Sequence, residues 1–292
     1  MNRPALIISA SLLPVMAWAT AAGVAAQDRA AFLAKQTIDC PGCDLRGANL
    51  DRRDLTGADL SGADLTGATF ARTILRGANL SGANLAGASL KRRDLTGANL
   101  SGANLEGATF HRANLRGANL NGANLNLATL TSANLQHATL VQALLFQAEA
   151  GGADFTGANL RAALMGSARL IVAKLDGADL SFADLWEAKL NDASLRDAML
   201  TDANLHAATL PRADMRGVTG ERTILTQAGL RSANLSGAVL HGADLFQADL
   251  VEADLTGADF AFSRLSAAKL FNANQTDTKF QGATMPDNSV HP

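Results

Sequence analysis

Two cysteines, five histidines and a long series of aspartates are the side chains here with reactive potential, and their spacing limits what they can do. Cys40 and Cys43 stand three apart across Pro41-Gly42. That spacing serves a redox pair, half of a metal site or a local disulfide. A redox pair needs a thioredoxin-like βαβ setting, which the flanking sequence lacks. A metal site needs two further ligands, and His111, His137, His206, His241 and His291 are scattered without a matching spacing. A disulfide across the turn suits Cα atoms three residues apart, and it is the reading favoured in an oxidising compartment. No serine or cysteine has a placed histidine, and no G-x-G-x-x-G, G-K-[ST] or H-E-x-x-H segment occurs. The chain therefore reads as a non-enzyme, with no cofactor and no metal.

The aspartates belong to a repeat. Every fifth residue from Leu45 to Met285 is Leu, Phe or Met in all but three of 49 units, the exceptions being Ala150, Gly220 and Gln275. Two residues before this centre stands Ala in 41 of the 49. Between them lies mostly Asn, Asp or Thr, and Ser-Gly or Thr-Gly often follows. A period of five is neither helical nor strand-like. Self-similarity this long means a solenoid, because a unit with one large apolar group and one methyl buries neither alone.

The unbroken Ala-(Asn/Asp)-Leu-x-x series, as in Lys91–Phe110, resembles the pentapeptide repeat family over about five-sixths of the chain. The resemblance implies an all-β fold, a right-handed quadrilateral parallel β-helix with four units per coil. Leu would fill the axis, Ala would permit the corner, and Gly would accept positive φ. Charges test the coil length independently. Just before the centre, Arg169, Lys174, Lys189, Arg264, Lys269 and Lys279 have Glu149, Asp154, Arg169, Asp244, Asp249 and Asp259 twenty residues earlier. Five of the six meet an acid, as stacked strands favour, and offsets of fifteen or twenty-five give three each. Twelve coils at strand spacing make a rod of about 58 Å. Related exported members begin with a Cys-x-x-Cys-Asp-Leu segment similar to Cys40–Leu45, which marks it as a capping signature.

Residues 1–26 read as a secretory signal, with Arg3, the apolar Ala5–Leu13 and the small residues Val24-Ala25-Ala26 before Gln27. The competing reading is an uncleaved membrane anchor, which is the one route to membrane contact. Residues 27–40 form a candidate capping helix and linker, with Asp28 as a cap and Phe32 and Leu33 as its apolar spot. The β-helix is expected over 41–285, and residues 286–292 form a C-terminal tail. That tail either folds over the last coil or leaves an edge through which two copies pair. Val141–Gly152 and Gly217–Leu225 depart from the pattern and are expected to be bulges or loops.

Two surface rows follow from a twenty-residue coil. Arg52, Arg72, Arg92 and Arg112 form an anion-binding ladder or a solvated charge row. Phe146, Trp186, His206 and Phe246 share one face, either as an interaction surface or as scattered aromatics. Arg53 and Arg93 occupy the inward Ala slot, where an unpaired Arg is costly. They are expected to tilt outward or to pair with Asp54 and Asp94.

The net charge of −2 argues against a nucleic-acid partner. The functional expectation is an exported rod, periplasmic or extracellular, that binds an unidentified protein or envelope glycan. The alternative, from family members that mimic DNA and bind topoisomerases, needs a cytoplasmic and strongly acidic chain.

Overall fold

The computed structural model describes residues 28–292, so the secretory signal expected over residues 1–26 lies outside the described residues. From Cys40 the chain winds into a rod in which residues i and i+20 are bridged in parallel, from Asp44↔Asp64 to Arg264↔Thr284. Four pentapeptides therefore make one coil, and the fold is the right-handed quadrilateral β-helix.

The local reason lies in the turn. The centre carbonyl accepts from the next inward Ala, as in Ala48 N to Leu45 O at 3.0 Å. The second residue after the centre has φ near +60° in every unit from Leu45 to Phe280, which is the third position of a type II turn. Gly fills many of these corners, as at Gly47 (φ 62°) and Gly57 (φ 70°). The Asn or Asp before the centre then caps the turn, as in Ser61 N to Asp59 Oδ1 at 3.0 Å. Between coils, Leu45 N–H donates to Asp64 O (2.8 Å) and Asp64 N–H to Cys43 O (2.9 Å). Amide side chains extend this ladder outside, with Asn99 donating to Asn79 (3.1 Å) and Asn119 to Asn99 (3.2 Å).

The axis is a continuous column of buried Leu, Phe and Met lined by buried Ala. The two irregular segments do not bulge. Gln142, Gln147 and Arg222 take the same left-handed corner as their neighbours, Ala150 is buried, and the bridges Glu149↔Arg169 and Thr219↔Val239 are intact. At Gly220 the missing centre is exchanged for a larger inward residue. Thr223 is fully buried and donates to Leu200 O and Gly220 O, each at 2.9 Å. A Cβ on residue 220 would clash with that hydroxyl, so the pair Gly220 and Thr223 fits as a unit.

At the N-terminal end, α1 (28–33) lays Phe32 over the first coil with no exposure, whereas Leu33 points to solvent. Arg53 departs from expectation. It neither tilts out nor pairs with Asp54, which instead caps Thr56. Its guanidinium lies 3.9 Å over the Phe32 ring and donates to Phe32 O (2.9 Å) and Thr37 O (3.3 Å). The inward slot of the first coil faces the cap rather than a lower coil, so an Arg there has carbonyls to satisfy it. Cys40 and Cys43, both buried, are joined with Cα atoms 5.4 Å apart.

At the other end the tail turns back as a hairpin. Val290 bridges Thr284 antiparallel, and Gly282 and Ala283 exchange backbone bonds with His291. The Phe280 ring sits between Phe260 (5.9 Å) and His291 (6.0 Å). This covers one wall of the final coil and leaves the walls of Leu270 and Gln275 uncapped.

Candidate interaction surfaces

The coil register sets both sequence rows along one wall, the one whose centres run from Leu50 to Leu270. The arginine ladder is the corner after these centres, in the N-terminal half. The aromatic row is the corner before them, in the C-terminal half.

Arg52, Arg72, Arg92 and Arg112 are all exposed and all hold left-handed φ of 55–61°. None of them makes an ion pair, although arginines elsewhere usually do. In the same column Arg212 is clamped by Asp192 at 2.6 Å, and in the opposite column Arg222 by Asp202 at 2.6 Å. Of the five acid–base pairs expected from the coil length, Arg169–Glu149 (3.0 Å), Arg264–Asp244 (3.1 Å) and Lys279–Asp259 (3.5 Å) form ion pairs. The other two stand in bridge register, and Asp249 instead faces Arg231 at 3.5 Å. Asp51, beside the ladder, is engaged by the Ala71 amide at 2.8 Å. The Thr69 hydroxyl, that amide, Arg52 and Arg93 together hold it below the usual carboxylate range.

Beside this ladder the rod has a seam. Phe70, Arg72 and Ser89 make none of the inter-coil backbone bonds that their counterparts make one coil up, where Leu90 donates to Thr109 (2.8 Å), Arg92 to His111 (2.9 Å) and Thr109 to Ala88 (2.9 Å). The bridge Thr69↔Ser89 is also missing, and among the described residues no other internal rung is. The cause is Arg93. It is half-buried, having left the inward slot, and its Nε donates to Lys91 O at 2.9 Å. That carbonyl is the acceptor Arg72 N–H would otherwise use. The opening is a recess of about 330 Å³ lined by Thr69, Ala71, Ser89, Lys91 and Arg93. Sequence reasoning placed irregularity in the wrong segments. Arg93 in an Ala slot was the signal for this one.

The aromatic row is not continuous. Trp186 lies flat across Gly166 and stacks on Phe146, with ring centroids 6.3 Å apart. A Cβ on residue 166 would clash with Trp186 Nε1, so Gly166 is the seat of the indole. His206 is hydrogen-bonded to Thr226 Oγ1 at 2.7 Å, and Phe246 is covered by the Arg264 guanidinium at 4.6 Å. The exposed Leu164 and Leu127 flank the Phe146–Trp186 pair. Across the wall from this pair run two shallow recesses, one beside Glu149, Arg169 and Lys189 and one floored by Thr209 and Gly229. Among the described residues no group of three or more His, Cys, Asp and Glu is arranged to hold a metal ion. No described helix is long and apolar enough to cross a membrane.

Comparison with known proteins agrees with this geometry. The pentapeptide repeats family matches in eight copies over residues 42–147, 153–217 and 223–285. The chain belongs to the pentapeptide repeat family. The two short gaps in that match hold Ala150 and Gly220, the units without a large centre. Among solved structures, the chain is 32% identical to HetL, a pentapeptide repeat protein involved in heterocyst differentiation regulation in the cyanobacterium Nostoc. That match covers 90% of this chain and 98% of HetL, with a TM-score of 0.24. A pentapeptide repeat protein from the Arabidopsis thaliana thylakoid lumen is 30% identical over 44% of this chain and 69% of its own, with a TM-score of 0.15. QnrB1, a plasmid-mediated fluoroquinolone resistance protein, is 20% identical over 68% of this chain and 89% of its own, with a TM-score of 0.44. Comparison with curated proteins gives no match.

Proposed function

We propose that this member of the family is an exported, non-catalytic rod whose single wall from Leu50 to Leu270 docks an envelope protein or glycan. The observation that supports this reading is the convergence of features on that wall. The unpaired arginines border it on one side, the Phe146–Trp186 pair borders it on the other, and three surface recesses lie between them. The axis is filled by Leu and Ala, so binding has the outer surface alone to use. The segment 1–26 supplies the export signal, and Cys40–Cys43 suits an oxidising compartment. A central aromatic pair beside exposed leucines is the kind of anchor that dominates protein docking. The uncapped walls of the last coil offer a second contact, end to end between two copies.

A photocrosslinker tests the reading by wall. Placed at Thr209, it is expected to capture one defined envelope species, and Trp186→Ala should abolish the adduct. Placed at Asn159, on the opposite wall, it should capture none. Equal labelling from both positions would refute a dedicated wall. Light scattering that gives a monomer mass at high micromolar concentration would remove the end-to-end contact.

A further inference from the structure

The seam between Thr69 and Ser89 concentrates two kinds of unmet demand. Backbone donors of Phe70, Arg72 and Ser89, with those of Gly67 and Asp94 beside them, lack the inter-coil partners that the ladder gives comparable rungs elsewhere, and such groups in folded proteins are normally paired. Around them stand Arg72, Lys91, Arg92 and Arg93, with the ladder continuing through Arg52 and Arg112. Like charges one rung apart repel, and the chain elsewhere answers an Arg with an acid one coil away. Here it does not. The nearby carboxylates are engaged elsewhere, Asp51 by the Ala71 amide, Asp54 by Thr56 and Asp94 by Thr96. Clustered N–H donors within a cationic rim are the ingredients of an oxyanion site.

We infer that the seam and the arginine corner bind a linear acidic polysaccharide, with one acid group in the seam and others on alternate arginines. The inference rests on the surface-docking reading above and names the ligand class for its N-terminal half. Spacing favours a sugar acid. The rungs repeat every ~4.8 Å. Phosphates along one DNA strand repeat every ~3.4 Å and fall out of step within three rungs. An extended acidic peptide presents same-face side chains only every ~6.6 Å. In an extended pyranose chain linked through opposite ring carbons, successive residues turn over and each advances the chain by close to one rung, so same-face carboxylates of a uronic acid polymer recur about every second rung and meet alternate arginines. Thr69 and Ser89 line the same recess, and side chains of this kind suit sugar hydroxyls. No exposed Phe or Trp among the described residues borders the corner, so nucleic-acid bases would find no stacking platform.

The test titrates the purified full chain with a fluorescent hexamer of galacturonate. A neutral galactose hexamer, a single-stranded DNA dodecamer and hexaglutamate serve as competitors. The uronate is expected to bind at least tenfold more tightly than each competitor and to weaken steeply with salt. Amide exchange at Phe70, Arg72 and Ser89, fast in the free protein, is expected to slow on binding. The double change Arg72→Gly plus Arg92→Gly should weaken binding at least tenfold. Gly is the residue these left-handed corners accept most easily, so the rod still forms. Arg93→Ala restores the usual inward residue and frees Lys91 O, which closes the seam, and it should weaken binding similarly.

Binding of the neutral hexamer as tightly as the uronate would overturn the inference. So would tighter binding of DNA or hexaglutamate, which would name a different ligand class, or full affinity in Arg93→Ala. Trp186→Ala should leave uronate affinity unchanged. Loss of uronate binding with the Thr209 adduct intact would therefore sink this inference alone, and the reverse would sink the aromatic docking alone.

Discussion

Single residues decide where this repeat is held and where it opens. Arg53 and Arg93 fill the same slot of the unit two coils apart and end in different places because their surroundings differ. Arg53 finds the carbonyls of Phe32 and Thr37, whereas Arg93 finds only Lys91 O. The sequence showed both as anomalies but not their outcomes, because the partners come from the cap and from the adjacent rung. Arg53→Ala is expected to cost about 2–3 kcal/mol, the scale of hydrogen bonds to a charged donor, with the loss read as a lower denaturant midpoint. Arg93→Ala is expected to raise that midpoint.

Asp214 sets a pH response. The Arg216 and Arg196 guanidinium groups hold its carboxyl down at about 2. A lowered folded-state pKa means that stability is present above the ordinary carboxylate pKa and is lost as pH falls toward about 2. Unfolding midpoints should therefore drop between about pH 4 and 2, and Asp214→Asn should flatten part of that drop. Gly166 gives an optical test. In a Trp18→Phe background, Gly166→Ala should lift the indole off the wall and shift its emission to the red. Unchanged emission would mean that Trp186 does not lie across Gly166.

The elements show how much a sequence of this kind reveals. The period, the coil length and the inward residues were legible because each unit must bury the same two side chains against its neighbours. The departures at Ala150 and Gly220 were misread as bulges. A small centre can be offset inside the coil, as Thr223 does for Gly220, and pattern alone cannot show that exchange. The seam was missed for the opposite reason, since its units keep the pattern at every centre. The ends were legible in kind. A short helix and an apolar Phe precede the first coil, but the aim of Phe32 and the outward turn of Leu33 depend on α1 docking. Opening the Cys40–Cys43 bond with Cys40→Ser is expected to cost about 2 kcal/mol, the entropy of a very short loop. The loss should appear as fraying confined to the cap, because solenoid coils depend on their nearest neighbours. Hydrogen exchange that spreads evenly through all coils would contradict that local view.

At the scale of the whole molecule, the rod keeps chemistry off its axis and places its distinctive side chains along one wall. That arrangement suits the contact role in the envelope proposed above, and compartment is the claim on which that proposal turns. The decisive measurement is the intact mass and location of the protein expressed in a Gram-negative host, with thiol alkylation before and after reduction. The account expects a periplasmic species beginning near Gln27, with Cys40 and Cys43 blocked to alkylation until reduced. A full-length cytoplasmic species with two free thiols would contradict it and would turn attention to a topoisomerase partner.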